Sequence, residues 1–432
     1  MITANVPCDA LITAGLSERV LTAIDPEYGD RISTYWSASA QLRPWCIVKP
    51  ENTEEVSLAL KTLTNANQGA GSWHIAVRGG GHSFWPGANN IENGVTIDLG
   101  SLNFSTYDFN TGLASLGLGG SWAAAFSSLA DTYHVTVVGG REGHVGIGGF
   151  LIGGGNSYYT GKQGFGCDNV INFEVVLANG SVVNANASSN ADLHKALKGG
   201  TGQRAYDYDL HAEVAPETLV DFASADQSQA DDALIVLFVT SGEGITLSTA
   251  QVNTQGVTDS SSFAKLAALP PVVDSMTTLS MAELAAGSIN PAVLRTVWFS
   301  LTFAADLEFL KWVTALYETL FANLTTSLST DDFNAQLLFQ PIPSYFGQIG
   351  VEKGGNVLGL GILLTSNAVL LLLIIQTEVV SSEAVAHAYG STFIANVEAA
   401  AKKTGNNLPF RFLNYVNPSQ DPLSSYGAEN VE

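Results

Sequence analysis

A chain of 432 residues with 46% apolar and only 13% charged side chains is too long for one simple core and too apolar for global disorder, so two or three packed lobes are expected. Its formal charge of -22 repels phosphate backbones and anionic leaflets, which excludes nucleic acid and an anionic membrane as natural partners. The three cysteines, Cys8, Cys46 and Cys167, form no CxxC and no zinc-spaced cluster, so no metal is expected; Cys8 and Cys46 are free to pair and leave Cys167 over.

In chain order, residues 1–40 read as a lead-in with a helical stretch and no signal peptide. Four glycosylation sequons, at Asn103, Asn179, Asn186 and Asn323, are either chance or the mark of a secreted protein whose leader is missing from this sequence. A helix is sharper at 50–64: Asn52 caps, Glu55 sits three residues on, and Val56, Ala59, Leu60 and Leu63 form one apolar face. A strand, His74 to Val77, runs into the loop RGGGHS (Arg78 to Ser83), and a second strand spans Val95 to Leu99. Segment 139–166 holds 12 glycines in 28 residues, interleaved with apolar side chains, as in VGIGGFLIGGG. FEVVLANGSVVNA predicts a β-hairpin turning at Asn179-Gly180, and 187–200 a helix. Phe309, Val313, Leu316 and Leu320 recur at helical spacing. The run from Asn356 to Ile375 reads as a hairpin of two buried strands rather than a membrane span, because Thr365, Ser366 and Asn367 break it.

Consecutive glycines after a strand aim several N–H groups at one point, and Arg78 adds charge beside them. Read alone, RGGGHS is either an anion nest or a tight structural turn; it is neither a GxGxxG fingerprint nor a GK[ST] phosphate loop. The second glycine-dense stretch, Gly143 to Val170, likewise suits backbone wrapped around an extended anionic cofactor. About 70 residues separate the two, and together they are specific where each alone is not.

These stretches carry a resemblance. SAQLRPWCIVKPENTEEV, VRGGGHSFWPGANNIENGVTIDL, VGIGGFLIGGGNS, GCDNVINFEVVLANGSVVNANA, DLHKALKGG and the tail motif FLNYVNP resemble the berberine-bridge-enzyme-like branch of the vanillyl-alcohol-oxidase/PCMH flavoproteins, particularly its fungal members. The resemblance implies an α+β protein: a PCMH-type two-lobed FAD-binding domain plus an α/β substrate domain whose antiparallel sheet is covered by helices. The boundaries expected are a lead-in at 1–40, the FAD-binding domain at 41–212, the substrate domain at 213–375 and a returning C-terminal segment at 376–432, which stops at Glu432 where the family continues.

It implies further that His82 bonds covalently to FAD, while Arg78, Gly79, Gly80, Gly81 and Ser83 meet the pyrophosphate. Gly139, Gly140, Gly148, Gly149, Gly154 and Val170 would approach the ring or ribityl chain, and Asn414 and Tyr415 the isoalloxazine. Some relatives bear a second link through a cysteine; the matching position is Gly146, so one link is expected. Tyr415 is the candidate catalytic residue, as base or substrate-orienting phenol, with Lys162 a possible cationic neighbour. Two departures stand out: Gln163 replaces a common tyrosine, and TGQRAYDYDL (Thr201 to Leu210) replaces a strand that clasps the adenine end. The implied activity is oxidation of an alcohol or related group of a small molecule such as a fungal polyketide, with O2 reduced to H2O2. A carbohydrate oxidase, and a non-redox binding protein or cyclase on a degenerate flavin fold, are the alternatives.

Overall fold

The computed structural model describes all residues except 1–2, 4, 67–72, 187, 189–205, 208–211, 242–243, 258, 272–276, 289–292, 365, 428–429 and 431–432. The helix expected at 187–200, the DLHKALKGG motif and most of 201–210 therefore lie outside the described residues.

The first lobe is built on a small mixed sheet. Strands β1 (Val20–Thr22), β2 (Cys46–Val48), β3 (His74–Arg78) and β4 (Gly94–Asp98) lie in the order β1-β2-β4-β3, with β2, β4 and β3 parallel and β1 antiparallel to β2. The residues read as a lead-in are thus part of this lobe. Helices α1 (Val6–Leu11) and α3 (Thr53–Ala66) close the sheet through Leu11, Ala59 and Leu63, and α2 (Pro26–Ser33) packs Tyr28 and Ile32 beside Ile47. Asn52 accepts from the Glu55 amide, as the capping pattern predicts. A disulfide joins Cys8 to Cys46, binding α1 to β2.

The second lobe holds two hairpins, β5 (Ser105–Asp108) with β6 (Leu113–Leu116) and β7 (Asn172–Val176) with β8 (Val182–Asn186), packed with α4 (Trp122–Tyr133) and the short α5 (Ile147–Ile152). Its core is Trp122, Phe126, Phe150 and Phe173. The β7–β8 turn falls at Asn179-Gly180, with Gly180 at φ 81°, as the hairpin reading requires.

The third unit is a seven-stranded antiparallel sheet of β9 (Tyr206–Asp207), β10 (Asp232–Ser241), β11 (Gly244–Asn253), β12 (Arg295–Ala304), β13 (Phe333–Ile342), β14 (Ala368–Thr377) and β15 (Asn407–Leu408), ordered β15-β12-β14-β13-β10-β11-β9. One face is covered by α6 (Val214–Ala223), α7 (Leu307–Ser327) and α8 (Val380–Thr404). Phe309, Val313 and Leu320 of α7 are buried there, as their spacing predicts. Because α8 packs on β12 and β14, and β15 pairs with β12, the helix-covered sheet continues well past residue 375.

The sequence reading of 356–375 as two strands is half right. Only β14 is a strand, central between β12 and β13. It is apolar from Ala368 to Ile375 because both faces are covered: Val369, Leu371, Leu373 and Ile375 meet the helices, while Leu370, Leu372 and Ile374 meet the opposite cluster. The first half instead forms a turn and a short helix, Leu360–Leu363. Gly359 adopts a left-handed φ of 67°, and a methyl group on Gly347 would lie 2.7 Å from the Leu360–Gly361 backbone. That close helix-on-helix approach is open only to glycine. Among the described residues no helix is long and apolar enough to cross a membrane.

Leu371→Ala should cost about 2–5 kcal/mol of unfolding free energy, since it opens a cavity at a fully enclosed position. Urea unfolding followed by far-ultraviolet circular dichroism measures it; a loss below about 1 kcal/mol would contradict the two-sided burial of β14.

Candidate flavin site

The site begins where the two glycine-dense stretches touch. A methyl group on Gly80 would fall 2.5 Å from the Gly146 Cα, and one on Gly146 would fall 2.4 Å from the Gly80 nitrogen. Neither position admits any other residue without parting the loops. Beside the contact lies a cavity of about 270 Å³, bordered by Gly79, Gly80, Gly119, Gly120, Ser121 and His144. The first-turn amides of α4 are engaged, by Val145, Gly143 and Ser121. The amides of Gly80, Gly81, His82 and Ser83 donate to no other described residue. The nest thus rests on the loop and not on the helix end.

Arg78 does not face this nest. Its guanidinium is turned inward and bonded to the carbonyls of Arg31 and Thr34 and to the Thr34 hydroxyl, 3.8 Å from Asp98 and stacked on Tyr35. Burial pushes the Arg78 guanidinium below its usual value, with Tyr35 and Asp98 opposing. It lies directly under Gly81, where a methyl group would strike it at 2.7 Å, and Gly81 takes φ 74°. Arg78 therefore braces the loop from beneath. Arg31 completes the brace with a two-pronged bond to Asp98, one prong at 2.7 Å.

His82 stands at the end of the loop. Its Nε2 makes no hydrogen bond and lies 3.4 Å from the Glu142 carboxylate, while its ring stacks on Trp36 at 4.8 Å and 15°. Trp36 is placed by its own backbone: its amide donates to Gly81, and its carbonyl accepts from Val293 just before β12. From Trp36 an aromatic wall runs through Trp298 of β12 to Tyr415. Ser83 accepts from the Trp85 amide, and the Trp85 indole donates to the Val416 carbonyl, tying the loop to the tail.

The remaining expected residues divide. Gly139 and Gly140 lie against the Trp122 indole, where a methyl group would strike the ring at 2.2 and 2.4 Å, so they make room for the lobe core. Gly148 approaches the Leu118 carbonyl, Gly149 has open space, and Gly154 turns the chain at φ 111°. Val170 packs on the Trp122 cluster. Asn414 reaches across to the end of α5, donating to the Phe150 carbonyl at 3.4 Å with its Oδ1 unpaired.

Tyr415 borders a second, larger cavity of about 1170 Å³ between the uncovered face of the sheet and the second lobe. Ile235, Leu237, Leu338, Leu372 and Ile374 supply its apolar wall, and Arg141, Glu142 and Gln340 its polar groups. The phenol accepts from Gln340 Nε2 at 3.4 Å and lies beside Arg141. Burial pushes the phenol up, Arg141 and Gln340 pull it down, and burial wins. Lys162, the neighbour considered from sequence, instead pairs with Asp231 at 2.8 Å in a part-exposed position. Arg141 and Glu142 were overlooked, although they are the only charged residues of segment 139–161 and follow directly on Gly139-Gly140. Gln340, a lone amide in the apolar strand LLFQPI, was a second available signal, whereas Trp36 has no local one.

The arrangement fits a flavin dinucleotide. A loop of unengaged amides, a groove bordered largely by glycines, and four unpaired polar atoms on His82, Trp36, Trp298 and Asn414 gather between the lobes and the sheet. Residues 44–186 match the FAD binding domain family. Over 98% of its length the chain is 31% identical to the FAD-dependent monooxygenase drtC of Aspergillus calidoustus, of which 85% is covered. The chain belongs with this fungal protein to one family of FAD-linked oxidoreductases. Among solved structures, glucooligosaccharide oxidase from Acremonium strictum superposes with a TM-score of 0.76 at 15% identity, over 99% of this chain and 94% of that one. Berberine bridge enzyme does so with a TM-score of 0.71 at 13% identity, over 96% and 87%. The protein is thus an FAD-linked oxidoreductase on a PCMH-type fold.

Two substitutions separate brace from cradle. Arg78→Met should lower unfolding free energy by about 3–5 kcal/mol, because it leaves Asp98 short of a partner and the loop unsupported. Gly146→Ala should leave the packing within each lobe in place but part the two loops and reduce bound flavin at least about tenfold. Chemical unfolding and the flavin-to-protein absorbance ratio check the pair; the reverse pattern would show Arg78 to be a cofactor ligand.

Proposed function

We propose that this protein is an FAD-dependent oxidase that acts on an alcohol or related group of a small, largely apolar molecule of polyketide or other secondary-metabolite type, with O2 as acceptor and H2O2 as product. The observation that carries the reading is the placing of His82. Its imidazole contacts Glu142, and Glu142 borders the large cavity whose far wall is aliphatic. FAD bound there supplies hydride acceptance and onward electron transfer.

The chain's own residues do the rest. His82 holds the cofactor through a single covalent bond, since Gly146 offers no thiol for a second. Trp36 stacks on the imidazole and fixes its ring plane. Tyr415 acts as a neutral phenol: burial raises its pKa, so the protonated form dominates through the physiological range and donates a hydrogen bond to the substrate oxygen. Gln340 and Trp298 hold that phenol in place. The five aliphatic side chains of the sheet face bury an apolar substrate body and favour it over an oligosaccharide. The acidic surface argues against nucleic acid and anionic membranes as partners.

A second reading has its own support. The drtC relative is named a monooxygenase, which would place one oxygen atom of O2 in the product. Oxygen uptake with peroxide assay separates the two: an oxidase releases one H2O2 per O2 consumed, whereas a monooxygenase releases none and incorporates label from ¹⁸O2.

The purified protein should be yellow, and acid-denatured protein should keep its flavin; His82→Ala should release it, and retention by that variant would refute the attachment. Tyr415→Phe should lower kcat by roughly 10²-fold with flavin content unchanged. In the wild-type pH profile, the raised phenol pKa predicts no loss of kcat from Tyr415 below pH 9. A loss of kcat as pH falls through that range, absent in Tyr415→Phe, would instead identify the phenolate as a base.

A further inference from the structure

Arg141 is a buried charge to which the oxidase reading gives no task. It borders the large cavity and is only 3% exposed. Its Nη2 donates to Gln340 Oε1 at 3.0 Å, its guanidinium carbon lies 5.3 Å from the Tyr158 ring centroid, and its Nε has no hydrogen-bond partner. The groups that favour its charge are two phenols, Tyr415 and Tyr158, and among the described residues no carboxylate pairs with it. The adjacent Glu142 is directed elsewhere, to His82 and to the Val145 amide. The other buried arginines differ. Arg78 has Asp98 at 3.8 Å, and Arg411 has Glu398 at 3.0 Å.

A guanidinium taken out of water without a counter-ion is strongly disfavoured, and a cavity-facing one invites an anion. Nε–H and the second Nη2 hydrogen lie along one edge of the guanidinium, the spacing that matches two oxygens in one plane. Gln340 orients that edge from β13, and the Tyr415 phenol stands beside it. The net charge of -22 opposes anions at long range, but this is screened within about 8 Å in physiological salt, whereas Arg141 acts at contact.

We propose that Arg141 is the substrate-binding residue for a planar oxyanion, so that the substrate carries a carboxylate or the ionised enol of a 1,3-dicarbonyl. This rests on the large cavity being the substrate site of the oxidase proposed above. A neutral sugar would leave the guanidinium buried and unpaired. The anion anchors the substrate at Arg141, and Tyr415 holds the oxygen of the group to be oxidised.

The test titrates holoprotein with benzoate and with benzamide, which share shape but not charge, following the flavin absorption spectrum. Wild type should bind benzoate at least tenfold tighter than benzamide. Arg141→Met should weaken benzoate at least tenfold and leave benzamide unchanged, while Arg141→Lys should retain part of the preference. Equal affinity for the two probes in wild type, or undiminished benzoate binding in Arg141→Met, overturns the proposal. Should Arg141→Met fail to fold, Arg141→Lys and Arg141→Gln carry the comparison: a graded loss supports the site, and no loss overturns it. Protein that proves colourless defeats the oxidase reading instead; the same titrations by calorimetry then still decide on Arg141.

Discussion

Everything in this molecule hangs on a contact between two backbones, Gly80 and Gly146, at a distance no side chain could survive. One belongs to the loop after β3, the other caps α5, and the two lobes of the flavin domain meet there. The contact sets where the RGGGHS amides point, and through His82 it sets where Glu142, Trp36 and the cavity stand relative to them. Side-chain packing elsewhere holds each lobe together. This approach fixes how they share a ligand.

Charge is distributed around that contact in two layers. Beneath the loop, Arg31 and Arg78 converge on Asp98, a closed set whose charges are consumed in bracing. Above it, Glu142 and Arg141 are consecutive in sequence yet turn to different tasks, one toward the imidazole and the other toward the sheet and Tyr415. Arginine serves as scaffold in the first layer and as an open donor in the second. Burial alone does not tell them apart, and the presence or absence of a carboxylate does.

What the sequence disclosed follows from the range of the forces involved. The capped helix at 53–66, the Asn179-Gly180 hairpin and the helical stripe of α7 are local, and each could be read where it stood. The glycine stretches could be read as a pair because close backbone approach leaves a compositional trace. The run at 356–375 misled because apolarity cannot distinguish a strand covered on both faces from a glycine-packed helical turn. The resemblance assigns Arg78 to the cofactor, while its side chain is held by Asp98 and Thr34, from other elements. Trp36 and Gln340 reach the site only through tertiary contacts.

The Cys8–Cys46 bond gives the opening of the chain an importance its modest elements would not suggest. The family match starts at residue 44, yet Cys8, Arg31 and Trp36 all precede it. A fragment trimmed to that match would strand a buried thiol at Cys46, strip Asp98 of its two-pronged partner and uncover one face of the imidazole. The smallest autonomous flavin module is therefore larger than the stretch by which the family is recognised.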